Sequence, residues 1–133
     1  MSIGVDKLLK LLEVRQIDKY LFSGVSPKRP ARIFGGQVLA QALNAATRTV
    51  DATRITHSMH AYFLRPGNPS KQIIYAVDPI RDGKRFTTRN VIAKQDGIAI
   101  FSASVSYHIA EPGLQHHFDM LQVPPPEELE SDF

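Results

Sequence analysis

A single change of period, at Asp51, constrains this chain more than any other feature of its sequence. Before it, in QVLAQALNAATRTV, Val38, Leu39, Ala42, Leu43, Ala45 and Ala46 recur at helical spacing and form a broad apolar face. Half of that face is alanine. A helix with so small a surface can sit close against a sheet or be enclosed by one. After Asp51 apolar and polar residues alternate and keep alternating, which is the period of strands. The chain must therefore place one long helix against a sheet built mostly from residues C-terminal to it.

Four strand-like runs make up this second part. THSMHAYFLRPG sets His57, Met59, Ala61 and Phe63 on one face and Ser58, His60, Tyr62 and Leu64 on the other, and stops at Pro66-Gly67. QIIYAVDPIRDG ends in a turn at Asp82-Gly83, and FTTRNVIAKQDG ends at Asp96-Gly97, a strong hairpin signal. IAIFSASVSYHIA is the fourth. Their spacing predicts an antiparallel meander. In the last run Ala99, Phe101, Ala103, Val105 and Tyr107 form the expected buried face, and Ile98, Ile100, Ser102, Ser104 and Ser106 the other. That serine row suits a sheet edge or a contact between sheets.

Ahead of the long helix, residues 4–14 carry Val5, Leu8, Leu9, Leu11 and Leu12 opposite Lys7, Lys10 and Glu13, an amphipathic helix. A short strand is expected near 19–23, then a turn-rich SGVSPKRP, and Ile33-Phe34 lead into the glycine pair Gly35-Gly36. The fold class is α+β, with a long central helix wrapped by a curved antiparallel sheet. The folded unit is expected over 1–121. From 122 a proline triplet and an acidic end read as a linker or tail, because consecutive prolines cannot continue a sheet.

Composition narrows the chemistry. One domain of 133 residues with 43% apolar and 22% charged residues is an ordinary globular chain. With no cysteine, disulfides, thiolate metal sites and a cysteine nucleophile are all excluded. No apolar run is long enough to span a bilayer, and charges interrupt the N-terminal stretch where a signal peptide would be apolar. A net charge of +3 favours an anionic ligand without requiring one. No interleaving of basic and aromatic residues points to nucleic acid.

Several residues invite a chemical role. Gly35, Gly36 and Gln37 open the long helix, where bare backbone N–H groups bind an anion or a developing oxyanion, although two glycines also serve a sharp turn. His57, beside Ser58, is a general-base candidate, and packing is its alternative role. His57 and His60, three apart on a strand, fall on opposite faces and share no metal. His116, His117 and Asp119 read as a solvated surface. A serine hydrolase triad at Ser58 lacks the G-x-S-x-G turn and the parallel α/β pattern it needs. Arg81, Lys84, Arg85 and Arg89 surround a turn. They could grip phosphates, or form an ordinary charged turn in which Arg89 serves a structural pair.

Five phrases carry a resemblance over nearly the whole chain: LLKLLEV…LFSG, FGGQVLAQAL, HSMHAYFLRPG, RDGKRFTTRNVIAKQDGIAIF and VPPPEEL. In this order the chain resembles the N-terminal domain of acyl-CoA thioesterase II. The resemblance implies a hot-dog fold, hydrolysis of fatty acyl-CoA to fatty acid and coenzyme A, no cofactor and no metal. It implies that the helix start at Gly35, Gly36 and Gln37 seats the thioester, and Arg89 stays a substrate-binding candidate on its place in the basic turn alone. The family joins two hot-dog domains in one chain, and its aspartate, threonine or serine, and glutamine lie in the second. None of them carries onto this sequence. The position matching the aspartate, seven before Arg65-Pro66, is Ser58, which cannot bear the charge that orients water. The expected partner is therefore a second hot-dog domain or another copy, joined through sheet edges. Two alternatives are a non-catalytic acyl-CoA-binding or dimerisation domain, and an enoyl-CoA hydratase, whose Asp/His phrase is missing. The resemblance places such a protein in bacterial cytoplasm or in the peroxisome.

Overall fold

Asp51 does divide the fold. The computed structural model describes residues 3–27 and 32–131. Upstream lie α1 (Ile3–Leu12) and α2 (Gly35–Thr47), with β1 (Arg15–Asp18) and β2 (Leu21–Gly24) between them. Downstream come β3 (Arg54–Phe63), β4 (Ile73–Asp82), β5 (Phe86–Gln95) and β6 (Ile98–Ile109). All six strands join one antiparallel sheet in the order β1-β2-β4-β5-β6-β3, and α2 packs across its inner face.

Three expectations change. The single strand near 19–23 is the second arm of a hairpin, β1–β2. The meander is β4-β5-β6 alone, because β3 pairs with β6 and not with β4. Between β2 and β3 the chain passes through α2, which carries it across the sheet to the far edge. β3 thus ends as a ten-residue edge strand. The first helix spans 3–12 rather than 4–14. Of the turn-rich stretch, residues 28–31 lie outside the described residues.

The core forms where the two periods meet. Val38, Ala42, Ala45 and Ala46 of α2 are buried against Phe22, Ile73, Tyr75, Val77, Val91, Phe101, Val105 and Tyr107. Each large side chain so buried contributes about 1.5–3 kcal/mol. Gln41 lies within this apolar stripe and is fully buried. Its Nε2 donates to the carbonyls of Leu11 (2.6 Å) and Val25 (3.2 Å), and its Oε1 accepts from the Tyr75 hydroxyl (2.7 Å). One side chain thus ties α1, the strand exit after β2, and β4 to the helix. Burial drives the Tyr75 hydroxyl far above its ordinary pKa, so it stays protonated and donating.

At the β5–β6 turn, Asp96 (φ 51°) and Gly97 (φ 77°) both adopt left-handed conformations, the geometry of a two-residue hairpin. Pro79 of β4 falls where the register slips between Asp78 and Arg81, so its missing N–H costs no ladder bond.

Two further bulges decide which face residues occupy. On β6, Phe101 faces Ala93 and Ala99 faces Lys94, leaving Ile100 as an extra residue. Ile100 and Phe101 are both buried, so Ile100 does not lie with the serines as its parity suggests. Phe101, Ala103, Val105 and Tyr107 are buried as expected, but Ala99, on the far side of the bulge, is only half-buried and pairs with Lys94. The serine row, however, is not at an edge, since β6 is flanked by β5 and β3. On β3, Thr56 pairs with Tyr107 and Ser58 with Ser106, leaving His57 as the extra residue. His57 therefore turns to the outer face, its Nε2 2.8 Å from Ser106 Oγ and its ring edge-on to Phe86 and His108. His60 sits opposite Ser104, also outward. The two histidines share a face, contrary to the simple alternation.

Candidate functional site

The start of α2 is the point where polar backbone meets open apolar space. Phe34 provides the N-cap in an extended conformation and makes no side-chain cap. The amides of Gln37 and Val38 bond back to the Phe34 carbonyl at 3.1 and 3.5 Å. The amides of Gly35 and Gly36 meet no acceptor among the described residues, so the positive end of the helix dipole is uncovered there.

Two clefts flank this point. One, of about 360 Å³, is walled by Gly35, Val38, Phe63, Leu64, Ile100 and Phe101, with Arg32 and Arg65 at its rim. The Ile100 bulge helps to build it, because Ile100 and Phe101 both turn inward. Gly35 forms part of its floor. A Cβ there would lie 3.0 Å from the Phe63 ring, which itself packs on Phe101 at 5.2 Å. The second cleft, of about 260 Å³, lies beside Leu11, Ser26, Phe34, Gln37 and Pro69. Here Gln37 is buried and directs Nε2 to Ser26 Oγ (2.8 Å) and the Val25 carbonyl (3.2 Å). Among the described residues, neither cleft is lined by an aspartate, glutamate or histidine.

The structure therefore groups Gly35, Gly36 and Gln37 at one end of α2 and separates the remaining candidates from them. His57 and Ser58 lie on the outer face of the sheet, Ser58 opposite Ser106, while both clefts open on the helix side. Arg89 lies at the other end of α2, roughly 20 Å away at 1.5 Å per helical residue. It is almost wholly buried. Its Nε donates to Thr49 Oγ1 (2.9 Å), and Nη2 to the Thr49 carbonyl (3.1 Å) and Asp82 (2.7 Å). Nη1 donates to the Thr88 and Arg81 carbonyls. Every nitrogen is engaged, which is the structural pairing the sequence left open. His116, His117 and Asp119 lie in an exposed tail, and no group of metal-binding side chains is found among the described residues.

Arg32, Arg65 and Gln95 escaped the sequence reading. The first two flank the Gly-Gly and Pro-Gly turns 33 residues apart in the chain and meet only in the fold. Gln95 is buried, accepts the Asn68 amide (2.8 Å), and donates to the carbonyls of Asn68 (2.8 Å) and Lys71 (3.0 Å). Its position on the inward face of β5, with Val91 and Ala93, was the available signal.

Comparison with known proteins agrees with this fold. The chain is 43% identical over 121 residues to human acyl-coenzyme A thioesterase 8, covering 90% of this chain and 38% of that protein. It is 40% identical over 130 residues to acyl-CoA thioesterase 2 of Haemophilus influenzae, covering 97% of this chain and 46% of the relative. It thus spans less than half the length of either. Among solved structures, the acyl-CoA thioesterase II TesB2 of Mycobacterium marinum superimposes with a TM-score of 0.80 at 37% identity, over 90% of this chain and 45% of the other. The fold is accordingly the hot-dog fold, and no described helix is long and apolar enough to cross a membrane. Residues 25–108 match the acyl-CoA thioesterase N-terminal domain, and the chain belongs to that family.

Proposed function

We propose that this chain is the N-terminal half of an acyl-CoA thioesterase, which holds the acyl thioester while a second hot-dog domain supplies the groups that activate water. In the reaction, water attacks the thioester carbonyl. A general base takes its proton, hydrogen-bond donors stabilise the oxyanion, and fatty acid and coenzyme A leave. The observation that carries this reading is the apolar cleft opening at the uncapped start of α2. The acyl chain fits its walls, and the amides of Gly35 and Gly36 face the carbonyl oxygen.

The absence of any carboxylate or imidazole from the described lining of both clefts supports the second half of the reading, in which the chain binds without turning over. The same observation favours the rival, a non-catalytic acyl-CoA-binding or dimerisation domain. The exposed β3 edge, ten residues of largely unpaired backbone on one side, supports pairing with a second hot-dog sheet from another domain or another copy. We take residues 1–121 as the hot-dog unit and 122–133 as a linker; the last strand ends at Ile109, and residues 110–131 are exposed throughout. The compartment that accompanies this reading is bacterial cytoplasm or the peroxisome.

Thiol release from a long-chain acyl-CoA tests it. Bound substrate with little or no thiol released is the expected result. Robust turnover, retained after His57→Ala and Ser58→Ala, would refute the assignment of the water-activating groups to a second domain.

A further inference from the structure

We propose that Arg32 and Arg65 form a grip for the phosphates of the coenzyme A head group at the rim of the apolar cleft, and that Gln95 is the residue that positions it. This rests on the acyl-CoA reading and extends it to the charged half of the ligand. The role is one the sequence had offered to the group Arg81, Lys84, Arg85 and Arg89, of which Arg89 has a guanidinium that is buried and satisfied internally.

The two rim arginines differ from Arg89 in every relevant respect. Both are exposed, both line the same cleft, and neither forms an ion pair with a carboxylate among the described residues. By contrast Arg85 pairs with Glu111 and Arg89 with Asp82. Two guanidiniums without a carboxylate partner on one rim make that rim positive, and a bound phosphate would neutralise it.

The rim is also held in place. Arg65 Nη1 donates to the Ala99 carbonyl at 2.8 Å, leaving its Nε and Nη2 without an acceptor among the described residues. The amides of Leu64 and Arg65 both bond to the Ile100 carbonyl, at 2.9 and 3.2 Å. Ile33 N donates to the Gly67 carbonyl at 3.4 Å, and a Cβ on Gly67 would come within 2.7 Å of the Ile33 side chain. The segment carrying Arg32 and the loop carrying Arg65 are thereby fastened to each other. Gln95 fixes the far side of that loop through its three bonds to Asn68 and Lys71. Apolar walls below and paired cations above suit an amphiphile with an anionic head. A fatty-acid carboxylate shares that chemistry. Two separate guanidiniums, each able to bind bidentately, favour the several phosphates of coenzyme A.

Equilibrium binding to the full chain tests this with four probes: coenzyme A, a long-chain acyl-CoA, the matching acyl N-acetylcysteamine thioester, which lacks phosphates, and the free fatty acid. Arg32→Ala and Arg65→Ala are each expected to weaken coenzyme A and acyl-CoA about tenfold and to flatten the salt dependence of binding. The phosphate-free thioester should bind all variants alike. Gln95→Ala should weaken the phosphate-bearing ligands selectively, whereas mere loosening of the fold would weaken the thioester too. Circular dichroism confirms folding, and Arg65→Lys, which keeps the charge, should restore part of the affinity.

Unchanged coenzyme A affinity in both arginine variants overturns the grip, as does equal loss for the phosphate-free thioester. Loss confined to the fatty acid assigns the arginines to a carboxylate and overturns it as well. If the wild-type chain binds the thioester but not coenzyme A, the grip fails and the acyl reading survives. If it binds neither, the acyl-CoA reading itself fails.

Discussion

The Tyr75 hydroxyl donates to Gln41 Oε1 at 2.7 Å, joining the first part of β4 to the middle of α2 inside the core. Because the same amide also donates to Leu11 and Val25, removing it strands a buried hydroxyl and the Leu11 carbonyl, while the Val25 carbonyl keeps its bond from Gln37 Nε2. Gln41→Leu is expected to destabilise the fold by about 2–4 kcal/mol, read as a shift in the denaturant midpoint. A loss below about 0.5 kcal/mol would mean the network is dispensable.

The same hydroxyl predicts alkaline behaviour. Burial raises the pKa of Tyr75, and that of Tyr107, above the ordinary tyrosine value. Raised folded-state values mean that the stability they contribute is fully present below the unfolded pKa, near 10. Above it the unfolded chain releases protons that the folded chain keeps, so stability falls as pH rises. Urea melts between pH 8 and 11, a range chosen to bracket roughly that pKa, should show a decline beginning near its upper end. A flat profile would contradict the burial of these hydroxyls.

Arg89 is predicted to be a stability residue. Arg89→Ala removes the donors that satisfy Thr49 and leaves a cavity under the end of α2, costing about 2–4 kcal/mol. Arg89→Lys should not rescue it, because one ammonium cannot replace a planar fork with five donors. Thermal denaturation checks both variants. Full stability with lost ligand binding would return Arg89 to the substrate.

The two glycines at the head of α2 should respond differently. A Cβ on Gly36 meets only Phe34, an exposed ring free to swing aside, so Gly36→Ala should be neutral or stabilising by up to about 1 kcal/mol. A Cβ on Gly35 presses on Phe63, which packs on Phe101 in the cleft wall. Gly35→Ala should therefore weaken acyl thioester binding several-fold, by calorimetry, with a much smaller change in melting temperature.

Ser58→Asp restores a carboxylate at the position the resemblance assigns to the water-orienting group. Since Ser58 faces Ser106 on the outer surface, thiol release from acyl-CoA should not increase. A measurable gain in turnover would show that the cleft reaches that face.

Much of this was legible in the sequence because periodicity is local. The alanine stripe of α2 and the alternation from Phe101 to Tyr107 appear in the structure as read. The features that escaped depended on partners distant in the chain. A bulge at His57 or Ile100 exists only relative to the neighbouring strand, and no glycine or proline announces it. Gln41 shares the helical stripe, but its polarity hid a burial that Tyr75 and two carbonyls make tolerable. The glycine pair was legible as a helix start. The cleft beside it required Phe63, Ile100 and Arg65, which only the crossing of β3 to the far edge brings near.

β3 is the sheet edge that the proposed partner, a second like sheet, is expected to cover. Sedimentation equilibrium of the isolated chain, up to concentrations on the order of 100 µM, examines that directly. A self-associating dimer with slowed amide exchange along residues 54–63 is the predicted result. A monomer throughout that range, with the β3 amides that do not bond to β6 exchanging freely, would contradict pairing with another copy.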